Sequence, residues 1–187
     1  AVVNFTTDYT LYGTAAQASD ADAKTWLYVQ NSTIRNGVFG GSLAGRVGTS
    51  NIYVQDSSIS AVYGGGQSFQ NLDGTFTGST TGAANVYVSG GEIGEVFGGA
   101  DGVGSTVGAA NVTNSDIAMF YVGTYSKDGS GVNHITGTLT ANLTDSRIGN
   151  QLIVAGRLGG TRDMSVTIHE VIVNAANSNL GSGNVML

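Results

Sequence analysis

The chain has no cysteine and no proline among its 187 residues, and only 11% of them are charged. Without cysteine there is no disulfide framework and no thiolate metal site. Without proline no turn has a φ fixed in advance, so glycine and asparagine must make the corners through positive φ. Seven basic residues stand against thirteen acidic ones, a net charge of −6. The seven (Lys24, Arg35, Arg46, Lys127, Arg147, Arg157 and Arg162) are scattered along the chain. Nucleic acid is not an expected partner, because displacing counterions needs a clustered positive face. No apolar run approaches the ~18 residues of a membrane helix, so no membrane insertion is expected. The chain starts at Ala1 with no signal-peptide pattern, and the expectation drawn from this is a processed product or a piece of a longer repeat protein.

What is present is 30 glycines, many Ser, Thr, Asn and Ala, and a hydrophobic share of 41%. A disordered chain would hold less Val, Ile and Tyr and more charge, so a folded, turn-rich β protein is expected. Its length suits one domain, taken as residues 1–187, with a continuous core.

A recurring phrase organises the sequence. Asn51-Ile-Tyr-Val-Gln-Asp-Ser-Ser-Ile59 is followed by Val62-Tyr-Gly-Gly-Gly66, and Asn85-Val-Tyr-Val-Ser-Gly-Gly-Glu-Ile93 by Val96-Phe-Gly-Gly-Ala100. An earlier copy is Leu27-Tyr-Val-Gln-Asn-Ser-Thr-Ile34 with Val38-Phe-Gly-Gly41. Later ones are Asn111–Ile117 with Tyr121-Val-Gly123, and Asn142–Ile148 with Ile153-Val-Ala-Gly156. Degenerate copies stand at Tyr9–Gly13 and from Val166. The asparagines are spaced 34, 26 and 31 residues apart, so loops vary while strands keep their phrase. These intervals are short for four-stranded propeller blades, and the leucine-rich pattern is missing. Three short strands per repeat fit a right-handed parallel β-helix of about six coils.

Within each phrase apolar residues alternate with period two, as in a strand with one buried face. Ile52 and Val54 point inward and Tyr53 outward on this pattern. Stacked repeats align Ile34, Ile59, Ile93, Ile117 and Ile148 as a core column. The asparagines at 51, 85, 111 and 142 begin their strands and are expected to form a corner ladder, each amide bonding its equivalent one repeat away. Asn4, Asn31, Asn111 and Asn142 also spell Asn-x-Thr, but a stacked corner side chain cannot carry a glycan. The intervening segments, 15–23, 67–82, 101–107, 126–138 and 158–163, are expected as surface loops, where specificity usually sits.

The Val-(Tyr/Phe)-Gly-Gly phrase after a strand ending in Ile resembles the repeats of bacterial surface proteins with β-helical passenger regions, the autotransporter adhesin type among them. The resemblance covers most of residues 9–156. It implies export to the cell surface and a role in adhesion or as a stalk.

Chemical motifs are sparse. His134 and His169 stand alone, with no Gly-x-Ser-x-Gly elbow or paired carboxylate near them in sequence, and a surface imidazole is the simpler account. Arg162-Asp163 with His169 is the one charged group within a single repeat. β-Helical lyases and hydrolases converge several carboxylates from adjacent coils, whereas Asp56, Glu92, Asp116 and Asp145 are spread singly. Ser19-Asp-Ala-Asp-Ala23 lacks the third carboxylate and the glycine of an EF-hand loop. Gly98–Gly104 resembles one unit of a calcium repeat that never recurs in tandem. No Gly-Lys-Ser/Thr follows the glycine-rich stretches, so they are not phosphate loops. No metal, cofactor or catalytic residue is assigned.

Two aromatic columns remain: Tyr28-Tyr53-Tyr87, read as outward, and Phe39-Tyr63-Phe97 before the Gly-Gly turn. Cross-strand packing explains such ladders at ~0.2–1 kcal/mol per pair, and sugar stacking is their functional alternative. Tyr28, Tyr53 and Tyr87 are the candidate ligand-binding stripe. The expected function is a non-enzymatic, extracellular adhesin or spacer that meets a glycan or protein surface and self-associates end to end. A carbohydrate-active enzyme and a self-assembling fibre module are the alternatives.

Overall fold

The computed structural model describes residues 2–102, 105–114, 117–121, 124–126, 132–144, 147–153, 156–158, 165–180 and 185–186. Among them there is no helix, and most residues are in strands. The principal strands join one 13-stranded sheet, in which every pairing among the described residues is parallel. Parallel strands cannot be joined by tight hairpins, so each pairing spans a whole repeat of sequence.

Two ladders run through this sheet. The first is Ser19–Gln30, Arg46–Tyr63, Thr80–Phe97, Thr106–Asn114, Val132–Thr144 and Ser165–Ala176, each hydrogen-bonded to the next. The second joins Thr33–Phe39 to the later half of Arg46–Tyr63, then to the later half of Thr80–Phe97, to Ile117–Tyr121 and to Ile148–Ile153. The long strands Arg46–Tyr63 and Thr80–Phe97 therefore belong to both. A third line of parallel bridges links Leu43 to Gln67 and Gln67 to Asp101.

Alternation explains the core. Leu27, Val29, Ile52, Val54, Val86, Val88, Ala141 and Leu143 are buried on one face of the first ladder. Ile34, Ile59, Ile93, Ile117 and Ile148 stand in register on the second, as their spacing predicts. The side chains of Ile34, Ile59, Ile93 and Ile148 are at most 2% exposed, each burial contributing roughly 1.5–3 kcal/mol.

Between the ladders the chain bends at Asn31, Asp56 and Gly90, which follow the register-matched Gln30, Gln55 and Ser89. All three have positive φ, at 47°, 47° and 72°. Asn, Asp and Gly are the residues that enter this region at least cost. The next position carries Ser32, Ser57 and then Gly91. Ser57 Oγ accepts from the Ser32 N–H at 3.1 Å. The asparagines 51, 85 and 111 are not at corners: each lies inside its strand, with the corner five residues beyond Asn51 and Asn85.

The Gly-Gly pairs after Phe39 and Tyr63 are glycine for another reason than the positive φ expected of them. A Cβ on Gly40 would lie 2.5 Å from the Gly64 carbonyl oxygen, and one on Gly64 would lie 2.4 Å from that of Gly98. Backbone approaches backbone there, and only a missing side chain permits it.

The segment 67–82 is shorter as a loop than expected, since Thr80 already opens a strand. Its middle is an antiparallel hairpin, Phe69–Gln70 against Phe76–Thr77. Gly74, with φ 84°, donates its N–H to the Asn71 carbonyl, and Leu72 is fully exposed at the tip.

Candidate functional site

The outward face of the first ladder carries the candidate stripe. Register places Tyr28 beside Tyr53, Tyr53 beside Tyr87 and Tyr87 beside Thr113, and the column continues to Asn142 and Asn174. The structure therefore brings Tyr28, Tyr53 and Tyr87 together. Their rings stack at centroid separations of 4.8 and 4.7 Å, with interplanar angles of 9° and 6°. These distances equal the spacing of neighbouring strands, so the backbone repeat sets the stack.

That geometry changes what the stripe can do. Each phenol turns its faces to its neighbours, so what the row offers to solvent is ring edges and hydroxyls. The rings pack across strands, as the simpler account from sequence has it, and the alternative, stacking of sugar rings on tyrosine faces, is blocked along the middle of the column. Tyr53 shows the cost of its position: desolvation between two rings, then the charges that Tyr87 and Tyr28 can carry, raise its pKa above the ordinary 10.0.

Two residues toward the start of each strand lies a second column, Trp26, Asn51, Asn85, Asn111, Thr140 and Ile172. Asn111 Nδ2 donates to Asn85 Oδ1, Asn85 Nδ2 to Asn51 Oδ1, and Asn51 Nδ2 to the Thr25 carbonyl, all at 3.0 Å. The amide ladder expected from sequence thus holds for residues 51, 85 and 111. Asn142 does not continue it: a register shift sets Thr140 beside Asn111, and Asn142 accepts instead from Asn174 Nδ2 at 2.9 Å. On the other flank of the tyrosines, Gln30 Nε2 donates to Gln55 Oε1 at 3.3 Å. The face is a set of parallel rows of hydroxyl and amide groups, with Trp26 exposed at its first strand.

The second aromatic column is covered rather than exposed. Phe39, Tyr63 and Phe97 are buried and form a core cluster of their own. Tyr12 extends the stack, at 5.2 Å from Phe39, and the later steps are 4.4 and 4.7 Å. The Tyr12 hydroxyl donates to Gln67 Oε1, and Gln67 Nε2 donates to Asp101 Oδ2 at 2.9 Å. Burial, and then the Asp101 charge, raise the Tyr12 pKa.

Sequence reasoning missed a groove on the second ladder. It has a volume of about 550 Å³ and is bordered by Arg35, Ser58, Ser60, Glu92 and Arg147. Thr33, Ser58 and Glu92 are register partners, one residue before each column isoleucine. That recurring position was the available signal. Arg35 pairs with Asp8 at 2.7 Å across the surface.

The other candidate groups stay apart or fall outside the described residues. Asp56 occupies a corner, and Glu92 is exposed on a strand. Asp116, Asp145, Arg162 and Asp163 lie outside the described residues, as do the side chains of His134 and His169. Asp20 and Asp22 sit in the strand Ser19–Gln30, where Asp20 Oδ1 accepts from the Asp22 N–H at 2.9 Å. Among the described residues no three His, Asp or Glu side chains gather as a metal site. No family model, curated protein or solved structure matches the chain.

Proposed function

We propose that the chain closes into a right-handed parallel β-helix and works as a non-enzymatic surface adhesin or spacer that holds a linear glycan along its tyrosine face. Closure is supported by three successive parallel ladders per repeat, at Tyr53–Tyr87, Ile59–Ile93 and Gln67–Asp101. The surface location rests on the likeness of the repeat to adhesin passengers.

The observation that carries the binding reading is the in-register tyrosine column, with hydroxyls repeating at the strand spacing beside the asparagine amides. A linear polymer aligned with the column meets similar donors and acceptors at every step. Individually weak polar contacts then add along the polymer.

A glycan array probed with the chain and with the triple variant Tyr28→Phe/Tyr53→Phe/Tyr87→Phe tests this. The variant keeps the stack and loses the hydroxyl row. Retention of linear glycans by the wild type, and its loss in the variant, is expected. Equal binding by both, or none by the wild type, overturns the reading. Release of shortened oligosaccharides from bound glycans would favour the enzyme alternative instead.

A further inference from the structure

The groove on the second ladder brings together residues that lie far apart in sequence. Its lining runs from Arg35, past Ser58, Ser60 and Glu92, to Arg147 and Gly149. Ile34, Ile59, Ile93, Ile117 and Ile148 mark five successive strands beneath it. Its two ends are therefore four strand spacings apart, about 19 Å. The residue after each column isoleucine makes its floor: Ser60 follows Ile59, Gly94 follows Ile93 and Gly149 follows Ile148. At Gly94 the floor cannot rise, since a Cβ there would lie 2.5 Å from the Ser60 carbonyl oxygen. A volume of about 550 Å³ over that length leaves a cross-section of roughly 30 Å², room for one polymer strand.

The charges along this trough alternate. Arg35 stands at one end and Arg147 at the other, with Glu92 on the strand midway, and all three are exposed. Arg35 bonds to Asp8 at 2.7 Å, but the two side chains are 64% and 73% exposed. A pair so open to water is weak, and a guanidinium has five N–H donors, so Arg35 can take an anion beside or in place of Asp8. Its planar fork fits a carboxylate with two hydrogen bonds. Midway the groove accepts instead. Glu92 has acceptor oxygens only, and Ser60 has already given its hydroxyl proton to the Arg35 carbonyl at 2.7 Å. A peptide would bring acceptor carbonyls there as often as donor N–H groups. A sugar chain brings hydroxyls, each of which can donate.

We infer that this groove binds a linear acidic glycan, with uronate carboxylates on Arg35 and Arg147 and hydroxyls donating to Glu92 and Ser60 between them. The site lies on another face than the tyrosine column and stands whether or not that column binds. Acidic glycans read the groove, and neutral ones read the tyrosine face.

Titration of a labelled hyaluronan oligosaccharide, in which uronic acid alternates with N-acetylglucosamine, tests it against a neutral chitin oligosaccharide of equal length. The wild type binds the first in preference, and salt weakens the binding. Arg35→Gln and Arg147→Gln each weaken it about tenfold. Asp8→Asn strengthens it several-fold by releasing Arg35, a gain that no unfolded variant can mimic. Lys24→Gln, which removes an exposed charge from the first ladder, leaves it unchanged. So does Tyr28→Phe/Tyr53→Phe/Tyr87→Phe, and loss of neutral glycans alone in that variant belongs to the tyrosine face. No binding of the acidic chain, equal binding of the neutral one, or indifference to both arginine variants overturns the inference. Equal weakening by Lys24→Gln also overturns it, since the general field of the protein would then be what the ligand feels.

Discussion

Asn111 hands one amide hydrogen to Asn85 at 3.0 Å, and Asn85 hands one on to Asn51 at the same distance, so the side chains form a one-way chain across three strands. Asn85 is donor and acceptor at once. Asn85→Ala removes both bonds and should cost about 1–3 kcal/mol, read as a lower denaturant midpoint. Asn85→Asp should cost more at neutral pH, because its carboxylate faces the Asn51 oxygen that had accepted a hydrogen. Equal effects would mean that the ladder has no directional order.

Inward and outward positions are separated by one residue at Ile93 and Glu92. Ile93→Asp puts a charge into a dry column and should unfold or aggregate the protein. Glu92→Gln, on the exposed side, should leave the thermal midpoint almost unchanged. Circular dichroism melts of the two variants check this.

Glycines 64 and 74 are constrained differently. Gly64→Ala drives a Cβ to 2.4 Å from the Gly98 carbonyl oxygen and should cost about 2–3 kcal/mol or more. Gly74→Ala meets nothing within 4 Å and bears only the strain of φ 84°, about 1–2 kcal/mol and confined to the hairpin. The ordering is measured by chemical denaturation of both variants.

Alkaline pH should weaken the fold through Tyr53 and Tyr12, whose pKa values are raised in the native state. Above the unfolded value of about 10 the unfolded chain releases protons that the native chain still holds, so stability falls as pH rises from there and is intact below it. Tyr53→Phe should flatten the loss between pH 10 and higher values. An unchanged slope in that variant would place the titration elsewhere.

Period-two alternation and the recurring Ile made the all-β class, the inward and outward sides and the isoleucine column legible from sequence. Those depend on local pattern: a strand cannot bury one side chain without exposing its neighbour. The register beyond Asn111 was not legible. Asn111 and Asn142 begin similar phrases, yet irregular pairing between Val107 and Ala110 sets Thr140 rather than Asn142 beside Asn111. Only the pairing of distant segments decides such a slip. Tertiary structure also buried Phe39, Tyr63 and Phe97, since alternation tells which way a ring points but not what lies over it. That Tyr28, Tyr53 and Tyr87 share one column was legible in the sequence, but the stacking of their rings was decided in space. Strand spacing presses the three rings face to face and leaves a row of hydroxyls toward solvent.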